Sequence, residues 1–164
     1  VTRLVQETDM FLQVVQAGNL MKTLDIIRLA VNSNQLHRVI VASDTPTGTG
    51  VIPLGVLKTI CEISSLTGLA PEKALALATG NNARTYNLNC GVIAEGRDAD
   101  LVVLDAPWGS TASDALGAVS RGDIPGISAV IIDGKVRTLR SRNTPMAAMM
   151  AQVRPEMEWL SEGH

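Results

Sequence analysis

The chain has 164 residues, 46% hydrophobic and 18% charged, which is an ordinary globular balance and long enough for one sizeable buried core. With 14 Lys and Arg against 16 Asp and Glu the formal net charge is -2, so no basic surplus exists to attract nucleic acid or anionic lipid. No apolar run approaches the roughly 18 residues a membrane span requires, and VTRLVQETD lacks the design of a signal peptide, so no nucleic acid, no membrane and a cytoplasmic location are expected.

In chain order, MFLQVVQAG at 10–18 is a β-branched, apolar run closed by Gly18 and predicts a strand. NLMKTLDIIRLAVNSNQ at 19–35 predicts a helix, with Asn19 as its cap and Leu20, Leu24, Ile27, Leu29 and Val31 as its apolar stripe. RVIVAS at 38–43 is a continuous apolar strand of the kind buried on both faces in parallel sheets, and it ends at Asp44. Together these make one βαβ unit. TPTGTGVIP at 45–53 is loop by composition, LGVLKTICEISSLTG at 54–68 is helical and stops at Gly68, and PEKALALATGNNARTYNL at 71–88 opens with a proline suited to a first helical position and continues as one or two helices.

From Gly91 the pattern turns antiparallel. GVIAEGRDADLVVLDAP at 91–107 is turn-rich around the strand DLVVLD, and ISAVIIDGKVRTL at 127–139 is a hairpin turning at Asp133-Gly134. Between them TASDALGAVSRGD at 111–123 predicts a helix with a Thr/Ser cap region. PMAAMMAQVRPEMEWL at 145–160 predicts a terminal helix broken at Pro155, with Met146, Met149 and Met150 as packing residues. A boundary near residue 90 separates the two styles.

Phe11, Tyr86, Trp108 and Trp159 are the only aromatic residues, so the core must be aliphatic, which favours helices packed on sheet. Cys61 and Cys90 lie 29 positions apart without CxxC spacing and are expected to be buried free thiols. Asp25, Arg28 and Glu62 fall where helical charges are usually solvated. Val1 is not an initiator and Glu162-Gly163-His164 looks like the start of an added tail, so the chain is expected to be a piece of something longer.

Chemistry is expected first at Asp44, where a buried strand opens into a Gly/Thr loop. The C-terminal ends of strands line the site in parallel α/β folds, and an aspartate there can ligate a metal and take a proton from water whose pKa the metal lowers. An Asx turn organising residues 45–50 explains the same residue without chemistry, and both readings stand. TPTGTG as a phosphate cradle is weak, because no GK[ST] follows. His37 precedes the strand, at the end opposite Asp44, and His164 falls in the tail, so no His-based metal site or Ser-His-Asp set can be assembled.

Several segments together resemble the amidohydrolase superfamily: VIVASDTPTG at 39–48, ALATGNNARTYNLNCGVIAEGRDADLVVLD at 76–105 and AVIIDGKV at 129–136, with GDIPGIS at 122–128 and SRNTP at 141–145 extending the likeness over roughly 5–150. The resemblance implies an α/β fold, the C-terminal strands and helices of a (β/α)8 TIM-type barrel followed by the C-terminal part of a small β-sandwich. On it, 1–90 is the end of the barrel (its seventh and eighth strands and the following helices), 91–140 the end of the sandwich, 141–161 a tail helix and 162–164 a tag remnant.

It further implies hydrolysis of a C–N bond in a small, cyclic amide by metal-activated water, with zinc or iron in a mono- or binuclear site. Asp44 becomes ligand and general base, and Thr45, Thr47 and Gly48 face substrate from the loop. The family's histidine ligands have no counterpart here, and a catalytic metal needs about three protein ligands, so this chain alone is expected to be inactive. An open strand edge and an uncovered apolar face would favour a homo-oligomer. A folded interaction module without activity is the competing expectation.

Overall fold

The computed structural model describes residues 1–15, 18–46 and 50–154. It opens with a short helix that the sequence reading did not assign, α1 (Thr2–Glu7), whose Val5 is fully buried. The expected βαβ unit follows: β1 (Leu12–Val15), α2 (Leu20–Asn32), one 3-10 turn (Leu36–Arg38) and β2 (Val39–Ala42). The strands pair in parallel, Leu12 opposite Val39 and Val15 opposite Ala42.

The Asn19 side chain accepts from the Lys22 N–H at 3.1 Å, giving one unpaired donor of the first turn of α2 a partner. Leu24 and Ile27 enter the core, but Val31 in the last turn is exposed and Ala30 takes its place in the stripe. Val39, Ile40 and Val41 are almost wholly buried, as a strand covered on both faces requires, with α3 (Gly55–Thr67), α4 (Pro71–Ala78) and α5 (Gly80–Tyr86) packed against β2. The stretch at 71–88 is thus two helices. They break at Thr79, whose φ of -119° and ψ of -91° leave the helical region.

The second half contains β3 (Leu101–Asp105), α6 (Ala115–Arg121), β4 (Gly126–Ile132) and β5 (Lys135–Thr138), an antiparallel sheet in the order β3-β4-β5. The hairpin turns at Asp133 and Gly134 as expected, both left-handed at φ 52° and 72°, the paired conformation that matches strand twist. The cap of α6 is Asp114, not a Thr or Ser, because its Oδ1 accepts from the Gly117 N–H at 2.7 Å. One aliphatic cluster joins Val5, Val14, Ile27, Val41, Ile63 and Leu77, and Val119 of α6 belongs to it. Fully burying each such side chain is worth roughly 1.5–3 kcal/mol. Phe11, Tyr86 and Trp108 are exposed, in keeping with an aliphatic core.

Two further expectations fail. Residues 145–154 form no helix. Their backbone groups bond to the end of β3 instead: Trp108 N–H donates to the Met146 carbonyl at 2.7 Å, Ala148 N–H to the Ala106 carbonyl at 2.8 Å, and Pro107 bridges Ala147. Met146, Met149 and Met150 are accordingly exposed and do not pack a core. The rest of the expected tail, with Pro155, Trp159 and 162–164, lies outside the described residues. Glu62 is also not on a solvated face: its side chain is 22% exposed and its Oε2 is buried, whereas Asp25 and Arg28 are exposed as expected. Among the described residues no helix is long and apolar enough to cross a membrane.

Candidate functional site

Asp44 follows β2 by two residues and sits at φ 54°, a left-handed conformation that Asp adopts more readily than most residues. The strand thereby ends in a sharp change of direction with the carboxylate at its C-terminal end, exposed. Among the described residues that carboxylate has no hydrogen-bond or ion-pair partner. Thr45 is exposed beside it, and its Oγ1 accepts from the Ile52 N–H at 3.4 Å, which folds the loop back toward α3. Thr47 and Gly48 lie outside the described residues. Asp44 and Thr45 are therefore together at one strand end. His37 is exposed in the 3-10 turn at the other end of β2, as the sequence indicated.

The donor set tests how far a metal fits. Among the described residues no three His, Cys, Asp or Glu side chains come together to hold an ion. A zinc- or iron-type catalytic site takes about three protein ligands, so the described residues fit as the source of one carboxylate ligand and do not complete a site. Two cavities, about 760 Å³ beside Arg140 and Arg142 and about 320 Å³ beside Arg84 and Arg97, are not lined by Asp44. Neither cysteine competes as a nucleophile on geometry. Cys61 donates to the Asp123 carbonyl at 3.3 Å, and burial, reinforced by the charges of Asp123 and Glu62, pushes its thiol up to about 11. Cys90 is half-buried, where full burial was expected, and both thiols are free.

Three residues that sequence reasoning left without a role hold the strand carrying Asp44. Arg38, expected to open the strand, is instead the end of the 3-10 turn. It is 5% exposed and donates to the carbonyls of Val5, Thr8 and Met10 and to Gln35 Oε1. On α5 the Asn81 amide donates to the carbonyls of Leu36 at 3.0 Å and Val39 at 2.8 Å. The Asn82 amide donates to those of Val41 and Ala78, each at 3.1 Å. Two successive asparagines inside a helix were the available signal, since Asn is a poor helix former that competes for backbone partners.

The chain resembles known proteins over most of its length. Residues 17–137 match the amidohydrolase family. The enamidase of Eubacterium barkeri is 48% identical over 153 residues, which is 93% of this chain and 40% of that protein, so the chain spans about two fifths of the length of this curated relative. A crystal structure of enamidase, described as a member of the amidohydrolase superfamily, superposes with a TM-score of 0.90 at 49% identity over 92% of this chain and 39% of the other. A β-aspartyl dipeptidase from Fervidobacterium islandicum AW-1 shares the fold, with a TM-score of 0.59 at 23% identity over 90% of this chain and 34% of its own. The strand-end aspartate, the segment from α4 to β3 and these matches agree: the chain belongs to the amidohydrolase family.

Proposed function

We propose that this chain is the C-terminal portion of an enamidase-like, metal-dependent hydrolase that cleaves a C–N bond of a small cyclic amide, with Asp44 as metal ligand and general base. The observation that carries the reading is the position of Asp44, exposed at the C-terminal end of a buried parallel strand, in a chain 48% identical to enamidase. On this reading β1 and β2 are the last two strands of a (β/α)8 barrel, and the β3-β4-β5 sheet is the C-terminal part of a β-sandwich.

A zinc or iron ion, held by Asp44 together with ligands from the rest of the longer protein, would supply Lewis acidity that lowers the pKa of the attacking water. The Asp44 carboxylate accepts the proton of that water and returns it to the leaving nitrogen, so that it acts first as base and then as acid. Thr45 directly follows Asp44 at the strand end, where substrate contacts are expected, and the same role is assigned to Thr47 and Gly48 from their place in the sequence. The remaining metal ligands come from the part of the longer protein that corresponds to the other three fifths of enamidase. The chain by itself is therefore inactive, and its exposed strand edges favour association with a second copy.

The test is Asp44→Asn in the longer protein, assayed on cyclic amides, together with metal analysis of both forms. The expected result is a fall in kcat of about 10²–10⁴-fold, the usual worth of a general base, with stoichiometric metal in the longer protein and none held by the 164-residue chain. Wild-type turnover by the Asp44→Asn protein would overturn the assignment. The absence of a three-ligand cluster among the described residues favours one other reading, a folded module without activity. A longer protein that neither bound metal nor hydrolysed amides would establish it.

A further inference from the structure

We infer that Asn82 is a positioning residue for Asp44, holding the end of β2 from one side while Gly55 admits the start of α3 against it from the other; the inference rests on the reading of Asp44 as the base. The Asn82 amide nitrogen bridges two carbonyls, that of Ala78 at the end of α4 and that of Val41 in the strand, each at 3.1 Å. Val41 lies three residues before Asp44, and its side chain is 1% exposed, so its peptide is set in packed interior. Both hydrogens of one planar amide are used. A hydroxyl has a single hydrogen and a carboxylate none, so neither could make both bonds.

From the other side, α3 begins against Ser43, the residue directly before Asp44. A Cβ at Gly55 would stand 3.3 Å from the Ser43 Cβ and 3.6 Å from Ile52 Cγ2, so this approach leaves little room for any side chain there. The Gly55 N–H donates to the Ile52 carbonyl at 3.3 Å, and the Ile52 N–H reaches Thr45 Oγ1 at 3.4 Å. Val41 is thus held by Asn82 and Thr45 by Ile52, with Ser43 close to Gly55, and the backbone that carries the left-handed Asp44 is set by these neighbours. Asn81 provides the contrast. It makes the same kind of amide bridge, to Leu36 and Val39, at the end of β2 remote from Asp44.

The experiment compares Asn82→Ala, Asn81→Ala, Gly55→Ala and Asp44→Asn in the longer protein by hydrogen exchange of the metal-free form and by steady-state kinetics. Asn82→Ala is expected to speed amide exchange in a peptide covering residues 41–46 by about tenfold, leaving α3 protected, because local opening follows the loss of local bonds. Its kcat is expected to fall ten- to a hundredfold with KM within about twofold, the signature of a misplaced reacting group. Asn81→Ala lowers Tm and leaves kcat unchanged. Unchanged exchange at 41–46 and unchanged kcat in Asn82→Ala, with Asp44→Asn inactive, would overturn the positioning role and leave the base assignment standing. An active Asp44→Asn would sink the base assignment, while the exchange data still decided whether Asn82 holds the strand end. Should Asn82→Ala not fold, Gly55→Ala is expected to give the same two changes, and no change in either would overturn the inference.

Discussion

Arg38 shows most directly how a single side chain sets this architecture. Its guanidinium fork, in the interior, is the common donor for three carbonyls, that of Val5 in α1 and those of Thr8 and Met10 on the segment joining α1 to β1. Replacing it with Met would leave those carbonyls without a donor, and we expect a loss of about 3 kcal/mol in urea unfolding. Arg38→Lys should recover only part of that, since a point ammonium does not match a planar fork. Cys61 gives a second residue-scale prediction. Its thiol is raised from 9.0 to about 11, so the folded state favours the protonated form: this contribution is full below pH 9 and is lost as pH rises toward 11. Iodoacetamide at pH 8 should therefore label Cys90 much faster than Cys61 in the native protein and both alike in urea. Nothing in the sequence around Arg38 distinguished it from a strand-flanking surface charge, because its three carbonyl partners stand 28 to 33 positions away.

At the scale of elements, most helices and strands formed close to where local pattern placed them, α1 and the segment at 145–154 being the exceptions. α6 is held at its start by Asp114, whose carboxyl lies below its ordinary value chiefly because the Gly117 N–H bonds the charged form. Depression means the stabilisation is present above the ordinary carboxylate range and is lost as pH falls through the lowered value. Asp114→Ala should therefore lower Tm at pH 7, and the gap to wild type should close in acid; Asp114→Asn, also a good cap, should sit close to wild type at pH 7. The sequence located this helix and chose its cap wrongly, since Thr, Ser and Asp all occur at 111–114 and only the geometry of the first turn selects among them. The helix expected at 145–160 fails over its described residues, 145–154, for a different reason. Met146, Met149 and Met150 recur at helical spacing, but the backbone beside them bonds across to 105–108, and a period cannot reveal that competitor.

For the whole molecule, that crossing segment acts as a strap over the β-sheet. A Cβ at Gly126 would meet the Ala147 N and Cα at 2.4 Å, a collision with backbone that no rotamer change relieves. Gly126→Ala should force the strap off β4 at a cost of about 1–3 kcal/mol, and limited proteolysis should then cut near residue 147, where the wild type resists. Composition and local pattern were enough to determine an aliphatic core, a βαβ unit ending on Asp44 and an antiparallel second half, because hydrophobic period and turn chemistry are properties of neighbouring residues, while the family came from the resemblance of whole segments such as 76–105 to its members. The tertiary structure alone decided what binds the strand before that aspartate to the helix packed on it. The Asn81 amide meets the Val39 carbonyl across 42 positions and the Asn82 amide meets that of Val41 across 41, and such partners become neighbours only when helix packs on strand and each buried polar group must find a mate.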